Sequence, residues 1–145
     1  PPMIGWAGAG GSLGVEAWFL FGLLFFWQLP HFVAINWLCR EEYESAGYKM
    51  WSNGDISGRK SGILSALFAI ALGVFSILPA FFGFTNLLWL IVGPLLGFLM
   101  AGLAFKFSRD GERTSARRLF FSTLLYLPVA LIVLLLAWKK LPVVP

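Results

Sequence analysis

The chain is poor in charge and poor in side chains that bind metals or carry redox chemistry. It holds one cysteine and one histidine in 145 residues. A lone cysteine, Cys39, excludes an internal disulfide and any paired-cysteine metal site. Its ordinary role is that of a small apolar residue at a helix end. A lone histidine, His31, excludes a metal centre built from several histidines of this chain. Charged residues make up 12% of the sequence, against about 25% in a soluble domain. Three stretches carry no Asp, Glu, Lys or Arg at all: Ala17 to Cys39, Ser61 to Phe105, and Leu119 to Trp138.

What fills those stretches is hydrophobic. The composition is 59% apolar, with a mean hydropathy of +0.80. A spanning helix needs about 20 mostly apolar residues, so the first and last stretches are one span each. The middle one holds two, broken between Pro79 and Asn86. The sequence therefore predicts an all-α, multi-pass transmembrane bundle with complete spans over about 16–38, 61–78, 87–107 and 119–138. Ahead of them, Pro1 to Gly14 reads as the end of a further membrane helix or a mobile apolar loop. The chain begins Pro1-Pro2 without an initiator methionine, and the expectation is a piece of a larger polypeptide.

Nine of the eleven basic residues fall in two loops, four between Arg40 and Lys60 and five between Lys106 and Arg118. The positive-inside rule puts both on the cytoplasmic or matrix face. Lys139 and Lys140 fall on the other face, a mild disagreement. The net charge of +4 thus sets topology and gives no argument for nucleic acid. Pro79 is expected to stop the second span. Gly93 and Gly97 form a GxxxG pair that favours close helix contact. Asp110-Gly111 marks a turn, and Thr114-Ser115 can cap the helix after it.

One segment breaks the apolar pattern. From Gln28 to Met50 a membrane span carries a glutamine, a proline and the only histidine, then ends in Arg40-Glu41-Glu42-Tyr43. Polar groups in hydrocarbon are costly, so ionisable residues there are functional candidates by default. With Gln28 at zero on a helical wheel, His31 lies near −60°, Asn36 near +80° and Glu42 near −40°, at about 100° per residue. That predicts one polar face above a charged cluster: a pocket with a polar floor and aromatic walls, open to the basic loop. Pro30 should kink the helix or open its hydrogen-bond ladder. His31 is a candidate ligand, proton carrier or hydrogen-bonding group. Glu41-Glu42 suit Mg²⁺, a hard cation that takes carboxylate and phosphate oxygens, and Arg40 and Lys49 suit phosphate. The plainer alternative is a solvated helix end. A kinked polar helix also suits a transporter or channel segment, or a structural membrane subunit.

Three runs in order, PPMIGW (Pro1 to Trp6), WQLPHF (Trp27 to Phe32) and REEYESAGYKM (Arg40 to Met50), followed by ARRLFF before a proline-containing span, resemble the protoheme IX farnesyltransferase family of UbiA-type membrane prenyltransferases. The resemblance covers the whole chain, residues 1–145, as the C-terminal part of such a membrane domain. It implies about nine spans around a cavity open to the cytoplasm, with this chain supplying the end of the fifth and the sixth to ninth. It implies farnesyl transfer from farnesyl diphosphate to heme b, giving heme O and pyrophosphate for heme A synthesis, with Mg²⁺ bridging the diphosphate to two acidic motifs. The first motif, N-x-x-x-D-x-x-x-D in type, belongs to the N-terminal half, so the fragment alone is expected to be inactive. The second matches Arg40 to Gly47. The resemblance implies that Glu41 and Glu42 are catalytic and hold Mg²⁺ directly or through an intervening group. Gln28, His31, Asn36, Arg40 and Tyr43 are the expected substrate contacts, and Lys49, outside the family pattern, is a candidate positive contact to the diphosphate. Two departures stand out: glutamates where the motif is usually aspartate-rich, and Tyr48-Lys49 where many members have an apolar residue and proline. Heme b is a substrate, a downstream heme A synthase is a further partner, and the membrane is the bacterial plasma membrane or, alternatively, the mitochondrial inner membrane.

Overall fold

The computed structural model describes residues 1–139. Its elements are α1 (Pro2–Gly8), α2 (Val15–Leu38), α3 (Arg40–Ser45), α4 (Arg59–Phe75), α5 (Leu78–Phe82), α6 (Leu87–Asp110) and α7 (Arg113–Ala137). The only strand-like feature among the described residues is one isolated antiparallel bridge, Thr85 to Trp138. Four segments are long and apolar enough to cross a membrane: Val15–Leu38, Arg59–Phe82, Leu87–Asp110 and Arg113–Ala137. The chain is a multi-pass, all-helical membrane bundle.

The four long helices close into a ring in which α2 packs on α4 and α7, and α6 packs on α4 and α7. Neighbours run antiparallel. The α4 start meets the α6 end at Gly62 and Ser108, and Gly73 meets Gly97 further along. With lipid as apolar as leucine, helix association rests on packing and polar contacts rather than on the hydrophobic effect. The α4–α6 seam shows this. Gly62, Ala66, Ala69 and Gly73 on α4 face Gly97, Ala101, Ala104 and Ser108 on α6, all buried. Both sets are spaced four, three and four residues apart, so each forms one stripe along its helix. A Cβ placed on Gly97 would lie 2.6 Å from the Gly73 Cα, and one on Gly62 would lie 2.6 Å from the Ser108 Cα. The backbones are as close as glycine permits.

The GxxxG expectation is thereby corrected. Gly97 makes the interhelical contact, but the nearest atoms to a Cβ at Gly93 belong to Trp89, one turn back on its own helix. The operative pattern is the longer run of small residues on two helices.

Two boundaries also differ from expectation. Pro79 does not stop the second span. The helix gives way at Ser76, whose hydroxyl donates to the Leu72 carbonyl at 2.8 Å while its own carbonyl accepts the Trp89 indole N–H at 2.9 Å. Pro79 then lies in the first turn of α5, where the missing N–H costs nothing, and the span runs on to Phe82. The second difference is the basic loop from Ser108 to Arg118, most of which is helix. α6 continues to Asp110 and α7 begins at Arg113, so only Gly111 and Glu112 lie between them. Gly111 adopts a left-handed φ of 61° and its N–H bonds the Phe107 carbonyl at 2.9 Å. Asp110 accepts from the Glu112 N–H at 3.0 Å and the Ser115 hydroxyl at 2.6 Å. Ser115 therefore clamps the turn through Asp110, and the helix itself starts after Glu112 with no side-chain cap.

At the opposite end, Asn86 caps α6 by accepting from the Leu88 N–H at 2.9 Å. The segment before it is tied to the end of α7 by Asn86 N–H to Ala137 O and Lys139 N–H to Phe84 O, both 3.0 Å. The two basic segments thus share one end of the bundle and Lys139 lies at the other. Lys140 falls outside the described residues.

Candidate active site at the α2–α3 corner

The motif-bearing residues occupy the lower half of α2, the short helix α3 and the loop down to α4. α2 does not run on into the motif. It ends at Leu38, Cys39 turns the chain with φ −103° and ψ 21°, and α3 takes a new direction from Arg40. A helical wheel drawn through Glu42 therefore does not describe the structure. α3 ends in a Schellman arrangement: Gly47 has φ 79°, its N–H bonds Glu44 O at 3.0 Å, and the Tyr48 N–H reaches back to Tyr43 O at 2.9 Å. The glycine in the Ala46-Gly47 pair is required by that left-handed position.

The polar side chains of α2 enter three different surroundings. Gln28 is exposed, in line with Trp18, Phe21, Phe25 and Phe32 on the outward face. Asn36 is buried and turned toward the loop below, where its Oδ1 accepts from the Ser52 N–H at 3.3 Å. Its neighbour Trp37 donates through Nε1 to the Asp55 carbonyl at 2.8 Å and packs edge-on against Phe107 at 4.8 Å. His31 is half-buried against α7. Its Nδ1 lies 2.9 Å from Thr123 Oγ1, and its ring is stacked between Trp27 and Phe120.

Below this, Arg40 folds back under α2. Its guanidinium lies 4.2 Å from the centre of the Trp37 ring and donates to the Trp37 carbonyl at 3.0 Å, which also accepts a backbone N–H at the helix end. It also meets Glu41 at 3.3 Å. Glu41, Glu42 and Lys49 are exposed, and Tyr43 is half-buried with its ring edge on Tyr48. Glu41 and Glu42 are adjacent on a helix and so point about 100° apart. Their oxygens suit a hard cation, and among the described residues no group of three potential ligands is brought together. Of the two, Glu42 has no ion-pair partner among the described residues.

The loop between α3 and α4 is anchored by Asp55. Its carboxylate accepts from the Ser61 N–H at 2.8 Å, the Lys60 N–H at 3.4 Å and the Ser57 hydroxyl at 3.3 Å, capping the start of α4. Burial alone would raise its pKa, but these hydrogen bonds outweigh that and hold the carboxyl below the usual aspartate range. Neither Asp55 nor Thr123 is among the site residues expected from the sequence. The signal for Thr123 was present, a hydroxyl in the middle of an uncharged span.

An aromatic cavity of about 400 Å³, lined by Phe19, Phe26, Phe75, Phe82 and Phe84 among others, lies toward the α2 start, away from the basic end. Gln28, His31, Asn36 and the acidic pair do not line it.

The fold thus sets a charged motif at one end of a transmembrane helical bundle, below a histidine within the span. The chain belongs to the UbiA prenyltransferase family, which matches residues 1–127. It is 37% identical over 132 residues to the protoheme IX farnesyltransferase of Opitutus terrae, covering 90% of this chain and 45% of that protein. It is 39% identical over 142 residues to the mitochondrial protoheme IX farnesyltransferase of Arabidopsis thaliana, covering 94% and 32%. With the human mitochondrial protein of the same name it shares 36% over 137 residues, 93% and 30%. The chain thus spans less than half the length of these curated relatives. No solved structure matches it. Nothing in the fold or the matches supports the transporter or structural-subunit alternatives.

Proposed function

We propose that the protein carrying this chain transfers a farnesyl group from farnesyl diphosphate to the vinyl side chain of protoheme IX, giving heme O and pyrophosphate. The observation that supports this most is the α2–α3 corner. It joins a histidine within the span to an Arg-Glu-Glu-Tyr helix at the basic end, in a chain whose relatives bear that activity in their names. We read residues 1–145 as the C-terminal part of the membrane domain. In the reaction the carbon–oxygen bond of the allylic diphosphate breaks, and pyrophosphate leaves with the electron pair. The vinyl π pair forms the new carbon–carbon bond, and water quenches the resulting cation with loss of a proton.

Mg²⁺ would supply charge neutralisation for the departing pyrophosphate. Glu42, exposed on α3, is the better placed of the two glutamates to hold it. Glu41 is drawn to Arg40 and supports the site from behind. Lys49 faces solvent and offers a positive charge to the diphosphate. Arg40 and Tyr43 frame the entrance. Gln28 and Asn36 remain substrate-contact candidates, Gln28 on the outward face and Asn36 through the loop it holds. The basic end is the cytoplasmic or matrix side of a bacterial plasma membrane or a mitochondrial inner membrane, and the product would pass to a heme A synthase.

The test uses full-length protein in membranes supplied with farnesyl diphosphate, heme b and Mg²⁺, with products read by mass spectrometry. Farnesylated heme with stoichiometric pyrophosphate is expected. Prenylation of another acceptor with heme untouched overturns the reading. Glu42→Gln should lower activity about 10- to 100-fold and raise the Mg²⁺ requirement, with Glu41→Gln having the smaller effect. Equal losses in both variants would remove the distinction drawn between them.

A further inference from the structure

The contact between α2 and α7 fixes more than the position of His31. Thr123 is fully buried, and its hydroxyl donates to the Phe120 carbonyl one turn back at 2.6 Å. A hydroxyl has one proton and two lone pairs. With the proton committed to Phe120, Thr123 Oγ1 can only accept from His31 Nδ1, 2.9 Å away. Nδ1 must therefore carry the hydrogen. In a neutral imidazole the other nitrogen, Nε2, then holds a free lone pair. No hydrogen bond to Nε2 is formed among the described residues.

The ring cannot easily turn to escape this arrangement. It stacks on Trp27, with centroids 5.2 Å apart and planes 16° from parallel, and on Phe120 at 5.1 Å and 23°. The Trp27 indole N–H donates to the carbonyl of the same Thr123 at 2.7 Å, which fixes the register of the two helices. The imidazole is thus held by two near-parallel aromatic neighbours.

An imidazole whose Nδ1–H is held by a neighbouring acceptor is the usual state of a metal-ligating histidine. The neighbour selects the tautomer and orients the ring. Here the nitrogen lies about two turns inside the helix end, in a span too apolar to leave a lone pair unused at no cost. We propose that Thr123 is a positioning residue that fixes His31 as the Nδ1–H tautomer, and that His31 Nε2 is an electron-pair donor to the iron of a metalloporphyrin substrate. The ligand half of this rests on the function proposed above. The tautomer half rests on geometry alone.

The experiment uses full-length protein in lipid nanodiscs with ¹⁵N-labelled histidine. The resonances lost in His31→Asn identify the ring. Wild type should show a protonated Nδ1 and an unprotonated Nε2. Thr123→Val should lose that preference and Thr123→Ser should restore it. A protonated Nε2 in wild type, or an unchanged pattern in Thr123→Val, overturns the positioning role. Ferric heme b is then added and its optical and electron paramagnetic resonance spectra are followed. Wild type should give an imidazole-ligated spectrum that His31→Ala loses and added free imidazole restores. Thr123→Val should bind heme about 10- to 100-fold more weakly. Heme bound with an unaltered spectrum in His31→Ala overturns the ligand assignment alone. A wild type that binds no heme overturns the substrate assignment as well.

Discussion

The α4–α6 seam and the α2–α7 contact are both helix pairs of one bundle, yet they are built on opposite rules. The seam is made of glycine, alanine and serine, brings backbones into near contact, and leaves no room for a side chain. The α2–α7 contact is made of Trp27, His31, Phe120 and Thr123, and is held by two directed hydrogen bonds and a stack of three rings. Close backbone packing gives a rigid support with nothing available for chemistry. Large polar and aromatic groups keep the helices further apart and place a reactive nitrogen within the membrane.

The comparison can be broken most directly at the seam. Gly97→Leu would drive a side chain into Gly73 and Ala69 and should cost about 2–4 kcal/mol or prevent folding. Thermal unfolding in detergent measures it, and a variant as stable as wild type would show that the seam is not close-packed. Next comes the base of the α2 half. Trp37→Phe keeps the ring against Phe107 but loses the hydrogen bond to Asp55, at a cost of about 1 kcal/mol. Hydrogen exchange should locate the loosening in the loop before α4. Thr123→Val preserves volume at the α2–α7 contact and should cost only about 0.6 kcal/mol, a fraction of the Gly97 effect. A larger loss would mean that this contact braces the fold too.

The smallest effect at neutral pH is expected for Asp55→Asn, and its signature is pH dependence. The Asp55 carboxyl titrates below its usual range in the folded state. Its stabilisation is therefore present above the unfolded value and is lost as pH falls through the folded one, below about pH 4. Wild type should lose stability in that window more steeply than Asp55→Asn, as read from unfolding midpoints. Parallel curves would show that the cap does not depend on the charge.

Much of this was legible in the chain itself. Uncharged runs give the spans because a bilayer admits only long helices with internally satisfied backbones, and the four spans lie where those runs are. The Arg40 to Met50 motif and the family resemblance were also readable, since they rest on residue identity and order. The errors cluster where polar residues serve local backbone geometry. Asp110, Gly111 and Ser115 compress an apparent eleven-residue loop into a two-residue turn. Ser76 and Trp89, rather than Pro79, set the break in the second span. The polar face drawn from Gln28 on to Glu42 is not continuous, because Cys39 ends the helix before Glu42 and because angular position does not say which neighbour covers Gln28, His31 and Asn36.

Composition and order alone determined that the chain is a helical membrane bundle, which spans it has, and which family's motifs it carries. Hydropathy and short motifs act within a single segment. Only the tertiary structure decided that Gly97 lies against the backbone of Gly73, that Glu41 is drawn to Arg40 while Glu42 is not, and that Thr123, 92 residues from His31 in sequence, dictates which imidazole nitrogen is free. The first and last depend on which helices become neighbours, and the sequence of one helix does not say which other helix will face it.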